Sequence, residues 1–134
     1  SNIEERLNLY KELNQIKDND SLIIFEQKLI DRFGKLPNKI AILFNAIKLR
    51  WIGKKLGFEK IVLKNNSLIA FFTTDKNSNY FESIYFKKIM NYLRENPKDC
   101  QVKENRGKLS LRKEEVMEIN QALELFNKLI NQKT

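Results

Sequence analysis

The chain has 134 residues, 42% of them hydrophobic, with four glycines, two prolines, one cysteine and no histidine, so one compact domain over residues 1–134 accounts for its length and a second has no room. Its net charge of +8 suits a polyanionic partner, but the excess is shared, 11 Lys/Arg against 7 Asp/Glu in residues 1–57 and 14 against 10 in residues 58–134, which excludes a basic arm. Without histidine there is no Ser-His, Cys-His or His-metal site, and Cys100 alone excludes an internal disulfide and a zinc or iron-sulfur centre.

From Ile3 to Lys17, Ile3, Leu7, Tyr10 and Leu13 recur at helical spacing, with acids early and a lysine late to suit the helix dipole. Ser1-Asn2 reads as a protease scar from recombinant expression, which makes the chain a piece of a longer protein. Asp18 to Ser21 supply N-cap residues for a second helix over Ser21 to Phe33, whose stripe Leu22, Phe25, Leu29 and Phe33 stops at Gly34, where a left-handed position is cheap. Pro37 pre-sets the first turn of a third helix, with face Ile40, Leu43, Phe44, Ile47 and Trp51, closed by Gly57; Trp51 reads as a core anchor. Lys48, Arg50, Lys54 and Lys55 lie off that face and are the weak candidates for phosphate contact.

The pattern then shortens. Residues 60–63 and 68–72 read as strands joined by Lys64-Asn65-Asn66-Ser67, a hairpin. Residues 73–79 are polar turn formers, and Tyr80 to Asn96 restores helical spacing until Pro97 ends it. Tyr80, Phe81, Tyr85, Phe86, Lys87, Lys88 and Tyr92 interleave aromatic and basic character as a single-strand-stacking surface would, but their spacing points to core packing. Residues 100–103 and 108–112 form a second hairpin around the three-residue connection Asn105-Arg106-Gly107, with the glycine placed for a bulge. A last helix runs from about Lys113 to Asn131, with Val116, Ile119, Leu123, Phe126 and Ile130 on one face. The order ααα-ββ-α-ββ-α predicts an α+β fold in which a small, mostly antiparallel sheet packs against helices.

No catalytic, cofactor or metal site follows from these residues. Gly34, Gly53, Gly57 and Gly107 are too scattered to cradle a phosphate. Glu114-Glu115 are adjacent on the expected last helix and share no face, which suits them to its N-terminus rather than to acid-base work. No apolar run approaches the roughly 20 residues of a membrane span, and nothing has the order of a signal peptide, so a reducing cytoplasmic setting is expected.

The most distinctive stretch is Leu29-Ile30-Asp31-Arg32-Phe33-Gly34-Lys35-Leu36-Pro37. A helix end, a glycine turn and a proline restart account for Phe33, Gly34 and Pro37. A helix C-terminus welcomes Arg32 but disfavours Asp31, which therefore asks for a partner or sits solvated at the surface. The stretch resembles the Asp-Arg-Phe-Gly-x-x-Pro signature of the C-terminal domain of bacterial transcription-repair coupling factors, the Mfd family. Arg6-Leu7, Leu9-Tyr10-Lys11 and Lys55-Leu56-Gly57 extend the resemblance, which covers about residues 3–130. It implies a multidomain parent that uses ATP and Mg to translocate on double-stranded DNA, displaces stalled RNA polymerase and recruits nucleotide excision repair. For this domain it implies a non-catalytic, autoinhibitory role: docking on the parent's N-terminal UvrB-like domain and masking the surface that binds UvrA. Asp31 and Arg32 carry over as contacts in that clamp, and Lys28 stands where the family often has an acid. The isolated chain is then expected to be monomeric and to need no cofactor. The alternative from the residues alone is a basic nucleic-acid-binding accessory domain.

Overall fold

Three helices open the computed structural model, which describes residues 2–75 and 79–134: α1 (Asn2–Gln15), α2 (Asn19–Phe33) and α3 (Asn38–Leu56). Ser1 of the supposed scar and residues 76–78 of the expected polar turn lie outside the described residues, as do the side chains of Ile3 and Tyr10 in the first helical stripe. Asp18 starts α2: its carboxylate accepts from the Ser21 backbone N–H at 2.7 Å and from the Ser21 hydroxyl at 2.9 Å. One orphan N–H of the first turn is thereby satisfied. The same bonds hold the Asp18 carboxyl below its ordinary range. Pro37 stands just ahead of α3, where its carbonyl accepts from Ile40 and Ala41, both at 3.0 Å.

The chain divides into two compact units, residues 1–48 and 49–134. In the first, α2 turns Leu22, Phe25 and Leu29 inward, and Phe25 meets Phe44 edge to face at 6.0 Å. Phe33 does not continue this stripe and is 52% exposed. Nor is the stripe expected on α3 its buried face. Phe44 is buried but Leu43 is exposed, while Leu49 and Leu56, outside that stripe, are buried. Apolar residues surround α3, so the 3.6-residue period alone does not single out one face.

The second unit holds an antiparallel sheet of β1 (Phe58–Lys64), β2 (Ser67–Phe72), β3 (Gln101–Asn105) and β4 (Lys108–Glu114), ordered β1-β2-β4-β3, with helices α4 (Ile84–Glu95) and α5 (Ile119–Ile130). Both hairpins turn on two residues with positive φ, Asn65-Asn66 and Arg106-Gly107. The twist of such a turn matches that of the strands. Asn105 pairs with Lys108, so the second connection is shorter than the expected three residues.

Alternation along the strands separates two sheet faces. Phe58, Leu68, Ala70, Phe72 and Leu111 enter the core with Ile89, Tyr92, Ala122, Leu125, Phe126 and Leu129 from the helices. Direct pairing sets Lys60, Phe71, Ser110 and Lys103 in one row of the other face, and Val62, Ile69, Arg112 and Gln101 in the next.

Two helix starts differ from the sequence reading. The expected helix over Tyr80 to Asn96 is broken at Ser83: a 3-10 turn (Tyr80–Glu82) precedes it, and Ser83 caps α4 by accepting from Phe86 N–H at 3.3 Å. The last helix begins at Ile119 rather than near Lys113. Lys113 and Glu114 continue β4, Glu115 takes φ 60, and Gln121 caps α5 by accepting from Glu118 N–H at 3.1 Å. Glu114 and Glu115 are therefore not a helix N-terminus, and Glu114 accepts from the Ser67 hydroxyl.

Candidate docking face

Opposite Leu22, Phe25 and Leu29, the exposed side of α2 carries Ile23, Ile24, Gln27, Lys28 and Asp31. Ile24, Gln27 and Asp31 follow one another at steps of three and four and so share a face. Gln27 donates to Asp31 Oδ1 at 2.9 Å, so part of what the helix end denies this carboxylate is supplied one turn back. Ile24 is 70% exposed, the largest value among the exposed large hydrophobic residues described.

Helix α2 stops in a way only its sequence allows. Gly34 takes φ 84 and ψ −162, and its N–H donates to Ile30 O at 2.8 Å. This is not the left-handed helical position expected from the sequence but an extended region with positive φ that is essentially reserved for glycine. The guanidinium of Arg32 lies 5.1 Å from the Phe33 ring centroid. Arg32 and Phe33 are both exposed, so this cation–ring contact lies at the surface.

Lys28 pairs with Glu12 of α1 at 3.3 Å, both side chains well exposed, so this cation has a counterion within the first unit. Lys48 pairs with Glu26 at 2.7 Å with both side chains mostly covered. This makes Lys48 a tie within the first unit rather than a free phosphate contact. Arg50, Lys54 and Lys55 are exposed in the second unit. Sequence reasoning missed Ile23, Ile24 and the Lys48–Glu26 pair. The signal for the two isoleucines was present: both fall outside the stripe that buries α2.

The aromatic run of the second unit is mostly structural. Tyr80, Tyr85 and Phe86 pack against the core, and Tyr92 is buried in it. Lys88 donates to the carbonyls of Ile130 at 3.0 Å and Gln132 at 2.9 Å, closing the end of α5. Asp99 accepts from the Tyr92 hydroxyl and from Lys113 Nζ. Partial burial opposes ionisation of Asp99, but the bonds from Lys113 and Tyr92 outweigh it and hold the carboxyl below its ordinary range. Cys100 is buried, and burial pushes its thiol up to about 12, so it stays protonated. Among the described residues, no three His, Cys, Asp or Glu side chains are placed to hold a metal, and no helix is long and apolar enough to cross a membrane.

Helices leading into a four-stranded antiparallel sheet, with charged and apolar side chains exposed on α2, define an α+β domain. One solved structure, the C-terminal domain of a transcription-repair coupling factor, superposes with a TM-score of 0.70 at 20% identity, covering 95% of this chain and 80% of that one. The chain belongs to the TRCF domain family, whose family model matches residues 1–83, a span that includes all three opening helices, the first hairpin and the 3-10 turn. No curated protein matches the chain.

Proposed function

We propose that this chain is a non-catalytic regulatory domain that holds its parent, a transcription-repair coupling factor, in a resting state by docking the exposed face of α2 onto the parent's N-terminal UvrB-like domain. Family membership supplies the parent. The observation that carries the choice of surface is Ile24, 70% exposed on the helix that presents Asp31 and Arg32. An apolar anchor beside charged groups fits an interface that must hold and later release. Asp31 and Arg32 offer charge-assisted hydrogen bonds, which favour docking in a salt-dependent way. Lys28 lies on the same side, and its pairing with Glu12 makes it a lesser contact than Asp31 and Arg32.

In this reading the dock masks the surface through which the parent recruits UvrA. It opens when the parent, fuelled by ATP and Mg on double-stranded DNA, displaces stalled RNA polymerase in the bacterial cytoplasm. The domain itself needs no cofactor. The test is UvrA capture by the full-length parent without nucleotide. Asp31→Ala/Arg32→Ala is expected to raise capture severalfold over wild type, since removing contacts from the closed state shifts the population toward the open one. Capture unchanged by the double substitution contradicts the proposal.

A further inference from the structure

The outward face of the sheet has a composition that folding does not explain. Phe71 and Ile69, the outward residues at the centre of β2, and Val62 beside them are partly exposed and stand apart from the core cluster. Across the row of Phe71, Lys60 lies on β1 and Lys103 on β3; Arg112 occupies the neighbouring row on β4. Lys60 and Lys103 stand three strand spacings apart, about 14 Å. Lys64 and Lys108 extend the cationic rim at the two hairpin turns, opposite Ser67 and Asn105. Of the acids on these strands, Glu114 accepts from the Ser67 hydroxyl, Glu59 accepts from Thr74 N–H at 3.1 Å and from its hydroxyl at 3.2 Å, and Glu104 follows Lys103 on β3, where alternation turns it to the opposite face. The amine of Lys60 rests 5.9 Å from the Phe71 ring centroid, which places a cation beside the ring.

We propose that this face binds single-stranded nucleic acid, with one base stacked on Phe71 and the backbone phosphates following Lys60, Arg112 and Lys103. Every base offers a π-face to an aromatic platform, and a cationic surface attracts the backbone of any sequence, so binding is sequence-tolerant and strongly salt-dependent. A four-stranded antiparallel sheet with an aromatic ring on a central strand is a geometry on which unpaired bases lie flat. In a duplex the bases are stacked on one another, and no base is free for Phe71. Ser110, buried beside the ring, accepts from Arg112 Nε at 3.4 Å, which draws the guanidinium of the neighbouring row toward that of Phe71. This site shares no residue with the α2 face, and its failure would leave the docking proposal untouched.

The experiment is fluorescence anisotropy of the whole chain with labelled oligo(dT), oligo(U) and a duplex of equal length, at low and at physiological salt. Binding of either single strand in preference to the duplex is expected, and which single strand binds more tightly identifies the natural one as DNA or RNA. Phe71→Leu, which keeps an apolar strand residue, is expected to weaken binding about tenfold, the loss of one stacked base. Lys60→Gln/Lys103→Gln is expected to lower the salt slope by about 1 per cation removed. Circular dichroism of both variants should match wild type. No binding of either single strand at low salt overturns the proposal, as does duplex binding of equal strength. So does a folded Phe71→Leu variant that binds like wild type, above all if Lys54→Gln/Lys55→Gln takes the loss instead.

Discussion

Gly34 and Asp99 carry the clearest single-residue consequences. Nothing lies within 4 Å of where a Cβ on Gly34 would stand, so a side chain there meets no clash and the cost of one is purely conformational. Gly34→Ala is expected to destabilise the domain by about 1–3 kcal/mol, read from chemical denaturation with an unchanged m-value. Gly57 differs: a Cβ there would fall 2.0 Å from the Tyr80 ring, whose hydroxyl donates to the Leu56 carbonyl, so conformation and space both demand glycine. The sequence showed that Gly34 ends a helix and Gly57 closes one, but the backbone region of the first and the ring over the second depend on tertiary placement. Asp99 ties the end of α4 to β4 through Lys113. Its folded-state carboxyl lies below the ordinary 3.8, so the stabilisation is complete above that value and disappears as pH falls through the lower folded value. Asp99→Asn should therefore cost about 1 kcal/mol near neutral pH, a figure discounted for partial exposure, and the gap to wild type should close below about pH 4. Thermal melts across this range would show it, and a gap that widened in acid would contradict the assignment.

Among the elements, α2 and the two hairpins were the most legible, because their signals are local. Asp18 at the N-cap and Gly34 at the end bracket the helix, and Asn65-Asn66 and Arg106-Gly107 supply the positive φ values that tight hairpins need. The start of α5 was misread because Glu114-Glu115 has the composition of a helix N-terminus, whereas strand pairing claims Glu114 and φ 60 at Glu115 breaks the chain. The break at Ser83 was hidden by an aromatic run whose spacing suits a continuous helix. Of the candidate contacts, Asp31 and Arg32 drew attention as residues the turn leaves unexplained; Ile24 did not, since a stripe drawn to find the buried face ignores what lies off it. Ile24→Ser gives a divided outcome that marks a contact residue. Folding stability should change by no more than about 0.5 kcal/mol, as for other exposed positions, whereas affinity for the docking partner should fall about tenfold through loss of an apolar anchor. Equal losses in both would make Ile24 structural.

On the scale of the whole molecule, family match and fold likeness cover different lengths. The family model ends at residue 83, before α4 and the second hairpin, yet the fold likeness to the solved C-terminal domain extends over 95% of the chain. The helices that carry the proposed dock thus lie in the part whose sequence still reads as the family, and the outward sheet face draws on both parts. Charge fits this division of roles: α2 offers mixed charge with an apolar anchor, and the sheet offers cations round a ring. The +8 balance spread along the chain gave no hint of the sheet arrangement, which arises only when strands and turns bring distant residues together, whereas the α2 face is local to one helix. The most direct test of the account is calorimetric titration of this chain against the separately expressed UvrB-like domain of its parent, with wild type and Asp31→Ala/Arg32→Ala side by side. The account predicts saturable, salt-weakened binding that the double substitution lowers at least tenfold while single-stranded DNA leaves it in place. Absence of binding, or binding that the double substitution does not change, would contradict it.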